Sequence, residues 1–324
     1  MGRARGDTRT AGRRGLGPRT RRLTLSTAAP FRLDLTVAVL QRLPGTPVDV
    51  WHEGAYWRAF DAPGGPVVWR VVQPGPAPLL RVELAGAVGP LGPWRARLRR
   101  MLGLDVDLAP YLAVARRLPA LAPVLPFARG LRPPRFASLH EAFAGVILFQ
   151  QVSLASAIAI LRRLVAALSP EVQLGGPALR PFPPAERLAD ASDALLRAAG
   201  LSGAKARSLR AAAGLIASGS LREDDLARLP SPALLEALRE VPGVGPWTAN
   251  LLALRYFGRL DVFPPGDVGA AKQLGEVGDP SLVEALGPWR GMLYFLLFVR
   301  RLTRAGAPPW TLARAPLSPP RRAR

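Results

Sequence analysis

Two short stretches of this chain hold residue types and spacings that could do chemistry. The first is Leu238-Arg-Glu-Val-Pro-Gly-Val-Gly-Pro-Trp-Thr-Ala-Asn250. A helix is expected to end near Glu240, turn through Gly243 and Gly245, and restart at Pro246. Two glycines one residue apart allow positive φ and a close approach of backbone to a ligand. The amides of Gly243, Gly245, Trp247 and Thr248 would then stand at a helix N-terminus, where an anion is favoured. A phosphodiester oxygen is a natural occupant, which would make this a helix-hairpin-helix. A plain turn between helices fits the same glycines. A dinucleotide fingerprint does not, because a helix precedes the glycines and Thr248 stands where a third glycine is needed.

The second stretch is Leu260-Asp-Val-Phe-Pro-Pro-Gly-Asp-Val-Gly-Ala-Ala-Lys272. Asp267 follows a Pro-Pro-Gly turn and opens the next helix. Aspartate is a favoured N-cap and needs no other role there. It also lies about twenty residues after the glycine turn, next to a proline-stiffened loop. Lys272, one helical turn on, reads as a phosphate contact or a solvent-facing residue.

Composition bounds what these motifs can belong to. The 324 residues contain no cysteine, which excludes disulfides, thiolate nucleophiles and iron–sulfur clusters. His52 and His140 are too few for a histidine metal cluster. The longest apolar run, Met292–Val299, is far short of the roughly 20 residues that span a bilayer. No secretory leader is visible, so a soluble, intracellular protein is expected. The net charge is +21, of which residues 1–22 carry +7 and residues 304–324 carry +5, leaving +9 on the body. A basic body between basic ends suits a polyanion, most simply nucleic acid. An arginine-biased, solvated surface gives the same count, since lysine occurs only at Lys205 and Lys272.

The elements that must position the motifs follow from periodicity. Residues 1–22 lack apolar period and read as a disordered basic arm, with a loose Pro/Arg-rich tail over 305–324. From 23 to 90 the pattern is mostly period two: Phe31, Leu33 and Leu35 alternate, and strands are expected at 48–52, 55–60, 67–72 and 79–84, with one helix at 36–43. Residues 91–304 turn helical, with apolar i, i+3, i+4 spacing over 95–102, 108–117, 139–149, 153–168, 188–199, 204–217, 232–239, 246–257, 267–275, 281–286 and 289–302. Ser138 and Ser231 mark two of the starts. The fold class is therefore α+β: a small antiparallel sheet domain, then a mostly helical, two-lobed body containing the hairpin.

The two motifs together resemble the helix-hairpin-helix/GPD superfamily of DNA repair glycosylases. Ile147-Leu-Phe-Gln-Gln-Val-Ser153 resembles that family's helix break facing the lesion, and Gly287-Pro-Trp-Arg290 its final helix. The strand-rich N-terminal domain points to the DNA-3-methyladenine glycosylase II (AlkA) branch. The resemblance implies a monofunctional N-glycosylase that hydrolyses the glycosidic bond of alkylated bases in duplex DNA by base flipping. A monomer in the bacterial cytoplasm, associated with the nucleoid, would go with it. Asp267 takes the catalytic position; Trp247, Trp289, Gln150 and Leu251 take base-pocket positions, and Gln151 that of the wedge in the duplex. Relatives often carry a bulky apolar wedge or an aromatic residue where Gln151 and Leu251 stand. Strand-cutting members place a lysine directly after the hairpin; Trp247 occupies it here, so no lyase activity is expected. No cofactor is implied beyond Na⁺ or K⁺ on the backbone carbonyls of Arg239, Val241 and Val244. A non-catalytic, sequence-neutral DNA clamp is the alternative reading.

Overall fold

The structure is a computed structural model and describes residues 20–42 and 45–304, without the side chains of 303 and 304. The basic arm up to residue 19 and the tail from 305 lie outside the described residues.

The chain opens with β1 (Arg21–Ser26), α1 (Leu33–Gln41), β2 (Val50–His52), β3 (Ala55–Phe60), β4 (Val67–Val72) and β5 (Leu79–Gly86). The strands form one antiparallel sheet in the order β1-β5-β4-β3-β2. Its two faces follow the period of two along β3. Ala55, Trp57 and Ala59 pack with Val172 and Leu179 on one side. Tyr56 and Phe60 join Trp69, α1 and α2 (Leu91–Met101) on the other.

Two expectations for this region change. Arg21 and Arg22, read as the end of the arm, are paired in β1 opposite Leu84 and Glu83. The alternation at 31–35 is no strand, because Leu33 and Leu35 lie in α1. That helix is buried on two sides at once. Leu33, Val37 and Leu40 face the sheet core, while Leu35 and Val39 face the helical body. A helix sandwiched in this way shows no clean amphipathic stripe.

The body comprises α3 (Ala109–Ala115), α4 (Leu139–Ile147), α5 (Leu154–Leu168), α6 (Ala185–Ala189), α7 (Asp193–Ala199), α8 (Gly203–Ala217), α9 (Glu223–Arg228), α10 (Ser231–Arg239), α11 (Pro246–Leu252), α12 (Val268–Val277), α13 (Leu282–Ala285) and α14 (Arg290–Arg304). Two cores define its lobes. One is built by α5 to α8 with part of α4, the other by α3, α10 to α14 and the rest of α4. The single helix expected over 188–199 is two, because Ser192 caps α7 by accepting from Leu195 N. α9 was not expected, having only Leu226 buried; its acidic first turn, Glu223 to Asp225, is the sign that marks it. Ser231 is the first residue of α10 rather than its cap, which falls on Pro230. α11 gives way to a π-helical turn, Ala253–Phe257, closed by Gly258 at φ 72°.

Sheet and body are joined by a buried ionic clasp. Arg58 on β3 donates to Asp49 Oδ1 at 2.6 Å and to Glu141 of α4, and Tyr56 donates to the same Asp49 oxygen at 2.6 Å. Burial opposes the charge on Arg58, but the two carboxylates more than offset it and hold the guanidinium above its ordinary range. Removing one partner of such a pair strands the other charge in the interior. Arg58→Met is expected to lower unfolding stability by about 3–5 kcal/mol in urea titration; a loss below about 1 kcal/mol would show that the clasp does not hold the two parts together. His140, beside it, is pushed down to about 4 by burial. Between pH 6.5 and 4 the unfolded chain therefore binds the proton that the folded chain refuses, so stability falls with acidification in that window. His140→Gln should flatten that part of the stability–pH curve.

Candidate active site

Gln150, Gln151, Gly243, Trp247, Asp267 and Tyr294 lie around one cleft of about 1130 Å³. Each wall is placed by a local rule. α4 ends at Ile147, and the chain breaks through Gln151 at φ 51° before Ser153 caps α5 by accepting from Ser156 N. Lys205 of α8 holds that break: its ammonium donates to the carbonyls of Leu148 at 3.1 Å and Gln150 at 2.6 Å. These are the carbonyls that the end of a helix leaves free. Gln150 turns inward, donating to Thr248 Oγ1 at 2.9 Å and Gly243 O at 3.2 Å. Gln151 stays exposed at the rim.

The hairpin joins α10 to α11. Gly243 sits at φ 83°, and a Cβ there would run into Ser208 Oγ of α8. Gly245 departs from expectation: it is the N-cap of α11 at φ −90°, and a Cβ would meet nothing within 4 Å. No intramolecular contact accounts for glycine at that exposed position. Thr248 is buried beneath the turn. Arg239 ends α10, and the Val241 carbonyl accepts from Val244 N at 3.0 Å.

Gly266, at φ 67°, turns the chain into Asp267. Asp267 is indeed the N-cap of α12, its Oδ1 accepting from Ala270 N at 2.8 Å. Its Oδ2 is also engaged, by the Trp247 indole N–H at 2.9 Å. The two motifs read separately in the sequence are thus one hydrogen-bonded unit, with Trp247 bound to the carboxylate. Lys272 is exposed at the rim, and Leu251 lines the interior.

Trp289 is the site residue that the structure places elsewhere. It is half-buried with its ring 6.4 Å from Tyr111 and does not line the cleft. The face of α14 that lines it is Tyr294, Leu297, Phe298 and Arg301. Residue 289 lies five positions before 294, about 140° around a helix from that face, and in the preceding 3₁₀ turn. Sequence reasoning also missed Arg42, Lys205, Arg255 and Tyr294. Arg255 carried a signal, since it falls four residues after Leu251 on an otherwise apolar helix face. Arg42 carried none, because it enters from α1 across a long sequence separation.

A hairpin between helices, a capping carboxylate bonded to it and an appended antiparallel sheet define a helix-hairpin-helix protein of two fused parts. Residues 144–279 match the HhH-GPD superfamily base excision DNA repair protein family, and residues 22–138 match the AlkA N-terminal domain. DNA-3-methyladenine glycosylase 2 of Escherichia coli is 30% identical over 227 residues, covering 68% of this chain and 76% of that protein. The probable bifunctional transcriptional activator/DNA repair enzyme AlkA of Mycobacterium tuberculosis is 33% identical over 279 residues, covering 83% of this chain. The chain spans 54% of the length of that relative. Among solved structures, the 3-methyladenine DNA-glycosylase of Archaeoglobus fulgidus aligns with a TM-score of 0.73 at 25% identity, over 87% of this chain and 98% of that one. The chain belongs to the HhH-GPD superfamily of base excision DNA repair proteins and carries the AlkA-type N-terminal domain. Among the described residues, no helix is long and apolar enough to cross a membrane, and no cluster of His, Asp and Glu could hold a metal.

The contact at Gly243 makes a stability test of the hairpin. Gly243→Ala is expected to cost about 2–4 kcal/mol, part from φ and part from the clash with Ser208. Adding Ser208→Gly should recover the clash part only; no recovery in thermal melts would show that the close approach does not demand glycine.

Proposed function

We propose that this protein is a monofunctional DNA N-glycosylase that hydrolyses the N-glycosidic bond of alkylated bases, of the 3-methyladenine type, in duplex DNA. The observation that carries the reading is the carboxylate of Asp267, fixed by the Trp247 indole at 2.9 Å and facing a cleft large enough for an extruded base. The basic body neutralises phosphates, and the exposed amides at Gly243 and Gly245 grip one strand at the start of α11. The bare Cα of Gly245 suits that role, because a backbone that must touch a phosphate tolerates no side chain. Lys272 adds a charge at the rim. Carbonyls of Arg239, Val241 and Val244 are neutral oxygen donors suited to a monovalent cation, which would strengthen that grip when bound.

The target nucleotide rotates out of the stack, at a cost smallest for damaged or poorly paired bases. Gln151, on its left-handed turn, fills the gap, held there by the Lys205 contacts to the same loop. The C1′–N bond then breaks with its electron pair passing to the base, and positive charge builds on the sugar. Asp267 stabilises that charge. Water adds to C1′ and releases a proton, leaving free base and an abasic site. Both Asp267 oxygens accept hydrogen bonds from fixed donors, so its orientation is set before the substrate enters. Strand cleavage needs an amine at C1′, and the residue after the hairpin is Trp247 rather than lysine. Lys205 is committed to two carbonyls of the wedge loop.

Asp267→Asn should lower base release from methylated duplex by about 10²-fold or more, with DNA affinity changed by less than about threefold. Release at the unaltered rate from that variant would leave only a DNA-binding protein. Trp247→Phe keeps the ring but removes the indole donor, and should reduce the rate about tenfold in single-turnover assays.

A further inference from the structure

The helix break that carries Gln151 and the hairpin that offers its amides lie far apart in sequence, yet three contacts tie them into one frame. Gln150 makes the first. Its side-chain nitrogen has two N–H groups, and both are taken, by Thr248 Oγ1 at 2.9 Å and Gly243 O at 3.2 Å. A backbone carbonyl can only accept, so it is the nitrogen of the amide that faces the hairpin. Lys205 makes the second contact from α8, through its bonds to the carbonyls of Leu148 and Gln150 at 3.1 and 2.6 Å. The third joins α8 back to the hairpin. Ser208 is three residues after Lys205 and on the same helix face, and a Cβ at Gly243 would stand 1.9 Å from its Oγ.

Wedge loop, α8 and hairpin thus form a closed triangle. Leu148, Ala206 and Leu209 share one buried core, which anchors the α8 side of it. Outward, the triangle presents two things: the exposed Gln151 at φ 51°, a conformation uncommon for a residue with a side chain, and the exposed glycines of the hairpin. Gln150 has no N–H left with which to read a base, although it lines the cleft. Lys205 does not line the cleft at all. Their bonds run between parts of the protein.

We propose that Gln150 and Lys205 are positioning residues that lock the wedge loop to the phosphate-gripping hairpin, so that the grip on the backbone drives extrusion of the target nucleotide. This rests on the glycosylase reading and adds how that site opens the duplex. The physics is mechanical. A stacked, paired nucleotide resists the wedge, and a loop free to move would yield before the pair did. When the loop cannot move relative to the bound phosphate, binding energy gained at the backbone is applied to unstacking.

The test compares single-turnover release of N7-methylguanine paired with cytosine and the same base in a one-nucleotide bulge, where no pair has to be opened. Uncatalysed loss is subtracted, and each variant is matched to the unmodified protein by its melting transition. Lys205→Met should lower the ratio of paired to bulged rates about tenfold. Gln150→Met should do the same, and the double variant should fall little further, because either change opens the triangle. An equal fall on both substrates, which a base-pocket role for Gln150 or a general loss of structure would give, overturns the lock. Additive effects in the double variant overturn it too. So does a DNA-binding salt slope reduced by about one in Lys205→Met, which would make that lysine a phosphate contact. Should the unmodified protein release no alkylated base from either duplex, the glycosylase reading itself fails; release from both with an unchanged ratio in the variants sinks only the lock.

Discussion

The side chain of Asp267 is held at both oxygens, one by the Ala270 amide at the start of α12 and the other by the Trp247 indole at the start of α11. Two helix N-termini thus converge on one carboxylate. The Ala270 amide cannot leave without unwinding the first turn of α12. The bond also sets what Trp247 can do, because an indole tied through its nitrogen cannot rotate freely in the cleft. Orientation in such a site comes from the scaffold before any ligand arrives, which is the condition for electrostatic catalysis.

Buried arginines divide this protein's interior into two kinds of place. Arg58 is matched by Asp49 and Glu141 and bonded to both, so its charge is neutralised where it sits. It joins the sheet to α4. Arg42 and Arg255 sit under the cleft with no matching carboxylate among the described residues, and aromatic rings rather than anions surround them. An interior charge without a partner is costly for a fold that uses it only for packing.

The sheet domain also gains a part in the site. α1 packs one side on the sheet and the other on the helical body, and its last turn supplies Arg42 to the cleft. Lys205 does something similar from α8, bracing the loop that carries Gln150 and Gln151. Elements distant in sequence therefore shape a cleft whose chemistry is written in two local motifs.

Local order decided a good part of this molecule. Residues 55–60 and 67–72 read as strands because alternation and bounding turns act over neighbouring residues. The hairpin glycines and the Asp267 cap were legible for the same reason, since positive φ at Gly243 and capping at Asp267 are short-range events. The split of 188–199, the shift of α1 and the role of Gly245 were not, because burial on two sides and open space are properties of the assembled chain. Trp289 and Tyr294 show the limit most clearly. Both are aromatic and close in sequence, yet only the second, on α14, lines the cleft. Residue types and turns were settled by the chain itself. Which side chains share the cleft was settled by helix phase and packing across separations such as the 216 residues between Val39 and Arg255, where no local pattern can act.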